Sequence, residues 1–272
     1  MKEETKEFIE EYEIYDIHAH IFPEKISKKA VASIGDFYGY EMKGKEGTSE
    51  DLIESGSKIG VKKYVVCSTA TTPGQVESIN AFITRERDNH PEFIGFGSLH
   101  PDYDDIEGQV KYCMENGLKG IKLHNDFQQF DIDDKKAYKI YEACRGKLPI
   151  LFHMGDARYD YSSPLRLEKV AADFPDLKIV GAHFGGHRRW EECIVLKKYE
   201  NVFFDTSSSL YFMPPKKAAE LVNCFGTERM FFGVDFPMWD HEEELERYMA
   251  MGLTKEQNRK ILSENAKNFF KD

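Results

Sequence analysis

The feature that most constrains this chain is a series of eight short apolar runs, rich in Val, Ile and Phe, spread over 272 residues. They occupy 13–20, 62–69, 93–100, 118–124, 149–155, 178–185, 202–208 and 230–237. Runs of this length bounded by turn residues read as strands, and their continuous apolar character marks strands covered on both faces. Their centres recur at roughly 30 residues, the length of one βαβ unit. Between several of them the apolar spacing is helical. Residues 72–91 carry a Pro near the start and end in His-Pro, and 133–149 place Gly146 where a helix stops. Residues 162–175 include a Ser-Pro helix start, and 254–270 open on a Thr-x-x-Gln capping box. Eight β–α units without a break in composition predict one α/β domain over 1–272, a single (β/α)8 TIM barrel. The first interval is longer. Its Gly- and Lys-rich stretch, 39–51, predicts a long loop with a helix on each side.

In such a barrel the carboxyl ends of the strands converge on one face, where reactive side chains gather. Polar residues stand at those ends here. The first run closes on His18-Ala-His20, the fourth on Lys122-Leu-His124, the fifth on His153, the sixth on His183 and the eighth on Asp235. Residues i and i+2 of a strand share a side, so His18 and His20 can close on one ion. An HxH pair alone is weak. His153 from across the barrel and Asp235 from the strand beside the first make a set of three imidazoles and a carboxylate, which suits zinc, with manganese, iron or cobalt also compatible.

His183 has two readings, a ligand to a second ion or a base beside an activated water, with Gly185-Gly186 letting its loop approach a ligand. Lys122 is read as an ammonium pairing with Asp205 or a substrate carboxylate; a carbamate bridging two ions is the alternative. His124 is a substrate contact. Asp205 is placed behind the ligands, holding a histidine's second ring nitrogen or helping Lys122, with helix capping nearly as good an account. Pocket walls are expected from the loops: Arg158, Tyr159 and Tyr161 after the fifth strand, Arg188 after the sixth, Met238 and Trp239 after the eighth. An arginine there can grip a carboxylate, although surface pairing is its ordinary use. His90, His100, His187 and His241 read as surface or helix-end residues.

Composition narrows the partners. The 37 Lys and Arg against 48 Asp and Glu leave a net charge of −11, and no basic run appears. That balance disfavours nucleic acid, whose phosphates call for clustered cations. Five cysteines stand singly with no CxxC, which predicts reduced thiols, with Cys113 and Cys144 as buried small hydrophobes. No apolar stretch approaches the length of a membrane span, and the first fifteen residues lack the apolar core of a signal peptide, so the expected location is the cytoplasm. The expected partner is a small molecule. A homo-oligomer is left open.

Seven segments in order, DIHAHIFP, GLKGIKLH, PILFHMG, AHFGG with Trp190, FDTSS, FFGVDFP and ILSENAKNFF, resemble the amidohydrolase superfamily. The likeness is to its amidohydrolase-related branch, which includes aminocarboxymuconate-semialdehyde decarboxylase. The resemblance spans 16–270 and implies a (β/α)8 barrel with one divalent metal, usually zinc. By motif, His18, His20, His153 and Asp235 are the implied ligands, Asp235 is also catalytic, and His183 activates or positions water. Members hydrolyse esters, amides or lactones, or decarboxylate aromatic and unsaturated acids, and the ligand set does not separate the two. Hydrolase is the preferred reading and decarboxylase the alternative. A TatD-type nuclease would place a Glu at the end of the fourth strand, where this chain has Lys122 and His124. A purely structural metal is disfavoured by ligands set at an open barrel mouth.

Overall fold

The computed structural model describes residues 2–40, 42 and 46–271. Eight parallel strands follow one another around a single sheet in chain order. They are β1 (Ile14–His20), β2 (Val61–Cys67), β3 (Phe93–Ser98), β4 (Gly120–Leu123), β5 (Ile150–Phe152), β6 (Ile179–Gly181), β7 (Val202–Asp205) and β8 (Met230–Phe231). Each overlaps one of the apolar runs. Helix α1 (Glu3–Glu11) precedes β1, and α2 (Glu24–Tyr38) and α3 (Ser49–Ser57) follow it. The loop expected between those two helices lies partly outside the described residues, at 41 and 43–45. Then come α4 (Val76–Asn89), α5 (Ile106–Glu115), α6 (Asn125–Gln128), α7 (Tyr138–Cys144), α8 (Pro164–Asp173) and α9 (Pro215–Phe225). After β8 lie α10 (His241–Met249), α11 (Lys255–Arg259) and α12 (Asn265–Phe270).

Local chemistry sets the helix ends. Ser163 accepts from the Leu165 N–H with Pro164 in the first turn, and Thr254 and Gln257 form the reciprocal box that opens α11. One β–α unit departs from the pattern. Between β6 and β7 the chain makes short 3-10 turns, His183–Gly185 and Cys193–Lys198, instead of an α-helix. His183, Phe184 and Arg188 all have positive φ there, a backbone that an α-helix cannot contain.

The barrel closes through its ends. Ala19 bridges Phe236, Ile17 N–H donates to the Phe232 carbonyl at 3.0 Å, and Asp235 N–H to that of His18 at 2.7 Å. Tyr15, Ile17, Val65, Phe96, Leu151 and Phe231 pack together, with Phe203, Phe269 and Phe270 against them, so α12 covers the amino-terminal end of the strands. A larger apolar layer, from Ile14 and Leu52 to Leu262, joins the sheet to the helices. Between Asp16 and Ala19, three residue steps of β1 span two of β2, a bulge at the mouth end of the strand.

Candidate metal centre and active site

Strand β1 brings His18 and His20 to the mouth, where their Nε2 atoms stand 3.2 Å apart. The turn after β8 adds Asp235, whose Oδ1 lies 3.5 Å from His18 Nε2 and 3.3 Å from His20 Nε2. Asp235 has φ +66°, a left-handed conformation that Asp tolerates better than most residues. Three donors forming a triangle with these edges fit one cation, since ligands about 2.1 Å from a tetrahedral ion stand about 3.4 Å apart. Burial raises the Asp235 carboxyl, but His18 and His20 overrule it and hold it well below the usual carboxylate range. Burial opposes charge on His20, yet the neighbouring Cys67 sulfur and Asp235 carboxylate lift it to about 9. The electrostatics of this corner therefore favour a positive charge.

Behind the triangle, Asp205 at the end of β7 is fully buried. Its Oδ2 lies 2.9 Å from His18 Nδ1, and its Oδ1 accepts from the His183 and Ser207 backbone N–H groups. Burial would raise Asp205, but His18 together with His183 and Ser207 brings it to about 2. An anion on Nδ1 selects the tautomer with the proton there and leaves the Nε2 lone pair facing the site. Asp205 thus takes the outer position expected of it rather than that of a helix cap. Lys122 is wholly buried, and its Nζ lies 3.0 Å from His18 Nε2; its hydrogen bond runs to that imidazole and not to Asp205. Burial lowers its pKa.

His153, the fourth expected ligand, stands outside the triangle. Its Nδ1 is 3.0 Å from His183 Nε2, and its Nε2 faces the Gly155 carbonyl at 3.1 Å, Tyr38 OH at 3.4 Å and Asp126 Oδ2 at 3.6 Å. Its ring stacks on His124 at 3.9 Å, and His124 stacks in turn on Phe127 at 3.7 Å. His124, Asp126 and His153 make a second set of donors within 4.8 Å of one another, and His18, His183 and Asp205 a third. His183 is buried behind His153, with Nδ1 2.9 Å from Ser207 Oγ, and burial lowers it to about 3. These imidazoles are neutral donors.

A cavity of 820 Å³ opens on this floor, lined there by His20, Asp235, His124, His153 and Asp126. Arg158 does not reach it. Its guanidinium holds Asp156 at 2.8 Å, donates to the Phe37 carbonyl and lies 4.4 Å from the Phe37 ring centre. Arg188 is likewise turned away, donating to Tyr40 OH at 3.2 Å over the Phe212 ring. Trp239 is buried beside a narrow cleft that His183, His187 and Met238 also line, and its Nε1 donates to Ser208 Oγ at 2.8 Å. Met238 lines both spaces, whereas Tyr159 and Tyr161 line neither. Ser208 Oγ donates to Asp235 Oδ2 at 2.5 Å.

Sequence reasoning missed Tyr38, Asp126, His187, Ser207 and Ser208. Asp126 and Ser207 sit two residues beyond His124 and Asp205, and that offset was the available signal. Tyr38, at the end of α2, gave none. His241 does open a helix, as expected, but it is wholly buried rather than on the surface, because Asp16 Oδ2 at 3.1 Å and Ser55 Oγ at 2.9 Å satisfy both ring nitrogens.

The amidohydrolase family profile matches residues 15–271. The chain belongs to the amidohydrolase family. A search of curated proteins gives no match. Among solved structures, a dihydroxybenzoic acid decarboxylase from Polaromonas, with manganese and the inhibitor 2-nitroresorcinol bound, aligns at TM-score 0.74 and 13% identity over 96% of this chain and 97% of that one. A 5-carboxyvanillate decarboxylase from Sphingomonas paucimobilis aligns at TM-score 0.72 and 15% identity, covering 95% and 99%. A Pseudomonas putida protein, provisionally assigned as a 2-pyrone-4,6-dicarboxylic acid hydrolase, aligns at TM-score 0.67 and 18% identity, covering 95% and 97%. At these identities the likeness is one of fold. As a member of the amidohydrolase family, the chain is a metal-dependent enzyme, a hydrolase or a decarboxylase. Among the described residues no helix is long and apolar enough to cross a membrane.

Proposed function

We propose that this amidohydrolase is a non-oxidative decarboxylase of an aromatic or unsaturated carboxylic acid. One divalent ion, manganese or zinc, would sit on His18, His20 and Asp235, with His153 the candidate fourth ligand. What supports decarboxylation over the hydrolysis preferred from sequence is the position of His183. The water-activating role read for His183 calls for an imidazole that meets water beside the substrate carbonyl, whereas Asp235 on the floor is a base open to either reaction. His183 is 1% exposed, is engaged by His153 and Ser207, and is absent from the wall of the large cavity. Decarboxylases among the structural neighbours support the same reading.

When bound, the ion supplies a Lewis acid that neutralises the substrate carboxylate and the charge that develops as carbon dioxide leaves. The protein's own groups do the rest. Asp235 rests as a carboxylate, steadied by the Ser208 hydroxyl, which Trp239 holds in turn. It accepts the proton that a phenol of the substrate gives up on binding, and returns it to the ring carbon. The carbon–carbon bond to the carboxylate breaks, its electron pair stays on the ring carbon, and that carbon gains the proton. The stacked His124 and Phe127 rings lie along the wall where a flat substrate would lodge.

Hydrolysis of an ester, amide or lactone is the second reading. It is favoured by the absence of any arginine from the cavity wall among the described residues, so no guanidinium grips a leaving carboxylate. The test is turnover of the manganese- and zinc-loaded protein on hydroxybenzoates, esters, amides and lactones in heavy water. The proposal expects carbon dioxide release with deuterium at the vacated ring carbon, reduced at least about a hundredfold in Asp235→Asn. Ester or lactone turnover without carbon dioxide release would overturn it.

A further inference from the structure

The large cavity extends beyond the floor just described. Its 820 Å³ is near the top of the roughly 300–1,000 Å³ usual for small-molecule sites. At about 30 Å³ per water-sized atom, a ten-atom ring acid accounts for only about 300 Å³. The remaining space lies between two helices. Ile26, Ala30 and Ile34 of α2 form one wall, and Ile79 and Phe82 of α4 form another. Charge is confined to the floor, apart from Lys29, which is exposed. The remaining polar groups on these walls, among them Ser33, Thr71 and Gln75, are neutral.

An unpaired charge is expensive to bury, whereas each buried methylene is favourable. A second carboxylate carried deep into this space would meet one cation among the described lining residues, the exposed Lys29, whose pairing in water is worth little. Apolar carbon would meet isoleucine and phenylalanine.

We propose that the substrate is a monocarboxylic acid whose body bears an uncharged apolar arm longer than one ring, an alkyl-substituted or fused-ring aryl acid, with the arm lodged between α2 and α4. This rests on the decarboxylase reading for the acid end, and the arm site is tested independently of turnover. Calorimetric titration of the manganese-loaded protein with 2-hydroxybenzoate and its 4-alkyl derivatives, methyl to hexyl, measures it directly. Affinity is expected to tighten about fourfold per methylene. A 4-carboxy substituent is expected to weaken binding more than tenfold.

Ala30→Trp and Ile79→Trp, one from each wall, fill the arm site without touching the floor. Each is expected to abolish the gradient while leaving 2-hydroxybenzoate affinity and manganese content as in wild type. A flat wild-type gradient, no binding by any member, tighter binding of the 4-carboxy compound, or an undiminished gradient in both folded variants would overturn the arm site. Should either variant misfold, the wild-type series still decides. A gradient without carbon dioxide release supports the arm site and counts against decarboxylation. Carbon dioxide release with a flat gradient does the reverse.

Discussion

At His18, one nitrogen lone pair has two claimants. Asp205 fixes the proton on Nδ1, so Nε2 is what His18 can offer an ion, yet Lys122 Nζ stands 3.0 Å from that same atom. A buried ammonium there withholds the lone pair and repels a dication; at an effective dielectric near 20, two unit charges 4 Å apart interact by about 4 kcal/mol. Lys122→Met therefore has a directional outcome. Equilibrium dialysis should show manganese binding tightened more than tenfold, and unchanged or weaker binding would mean that Lys122 does not oppose the ion. The same corner shows what sequence makes legible. His18 and His20 are two apart on one strand, so their convergence follows from strand periodicity, and Asp235 follows from barrel closure. Tyr38 reaches the same floor from the end of α2, and no sequence period encodes how a helix docks over a barrel mouth. His153 was expected beside His18 and is found facing His183, because rotamer and tautomer decide which neighbour an imidazole meets.

Among the elements, β1 does most to organise the mouth. Asp16 lies within its bulge, where Oδ1 accepts from the His18 and Val234 N–H groups and Oδ2 meets His241, the first residue of α10. One buried carboxylate thus joins β1, the exit of β8 and α10. The strands were legible because burial on both faces leaves unbroken apolar runs. The link from β6 to β7 was not, because left-handed residues such as His183 and Phe184 carry no side-chain pattern. Helix α10 holds a further buried acid. Glu244 Oε2 accepts from Arg247 at 2.7 Å, while Oε1 has no hydrogen-bond partner among the described residues. Burial pushes Glu244 from its ordinary 4.5 up to about 7, with Asp235 and Asp16 adding to the rise and Arg247 opposing it. A raised carboxyl pKa means that the folded protein binds more protons between those two values. Stability contributed by this group therefore falls as pH rises from about 4.5 to about 7 and changes little above that. Denaturant unfolding of Glu244→Gln at pH 5 and pH 8 should shift the difference from wild type in the variant's favour by about 2 kcal/mol. Parallel pH profiles would contradict the assignment.

For the molecule as a whole, barrel closure is what makes one site from distant segments. Residues 18, 20, 122, 153, 205 and 235 come from five strands or the turns that follow them, and only a closed ring brings them together at one end. The opposite end is packed with Phe203, Phe269 and Phe270, which leaves the chemistry to the mouth. That division was visible in the spacing of the apolar runs. The size and greasiness of the cavity were not, since they depend on α2 and α4 flanking the space above the mouth. The central claim is that the mouth holds one cation on a specified triangle of donors. Anomalous diffraction from crystals of the manganese- or zinc-loaded protein tests it most directly. One ion should appear within about 2.0–2.3 Å of His18 Nε2, His20 Nε2 and Asp235 Oδ1. An ion lodged instead among His124, Asp126 and His153, or no ion at saturating metal, would contradict it.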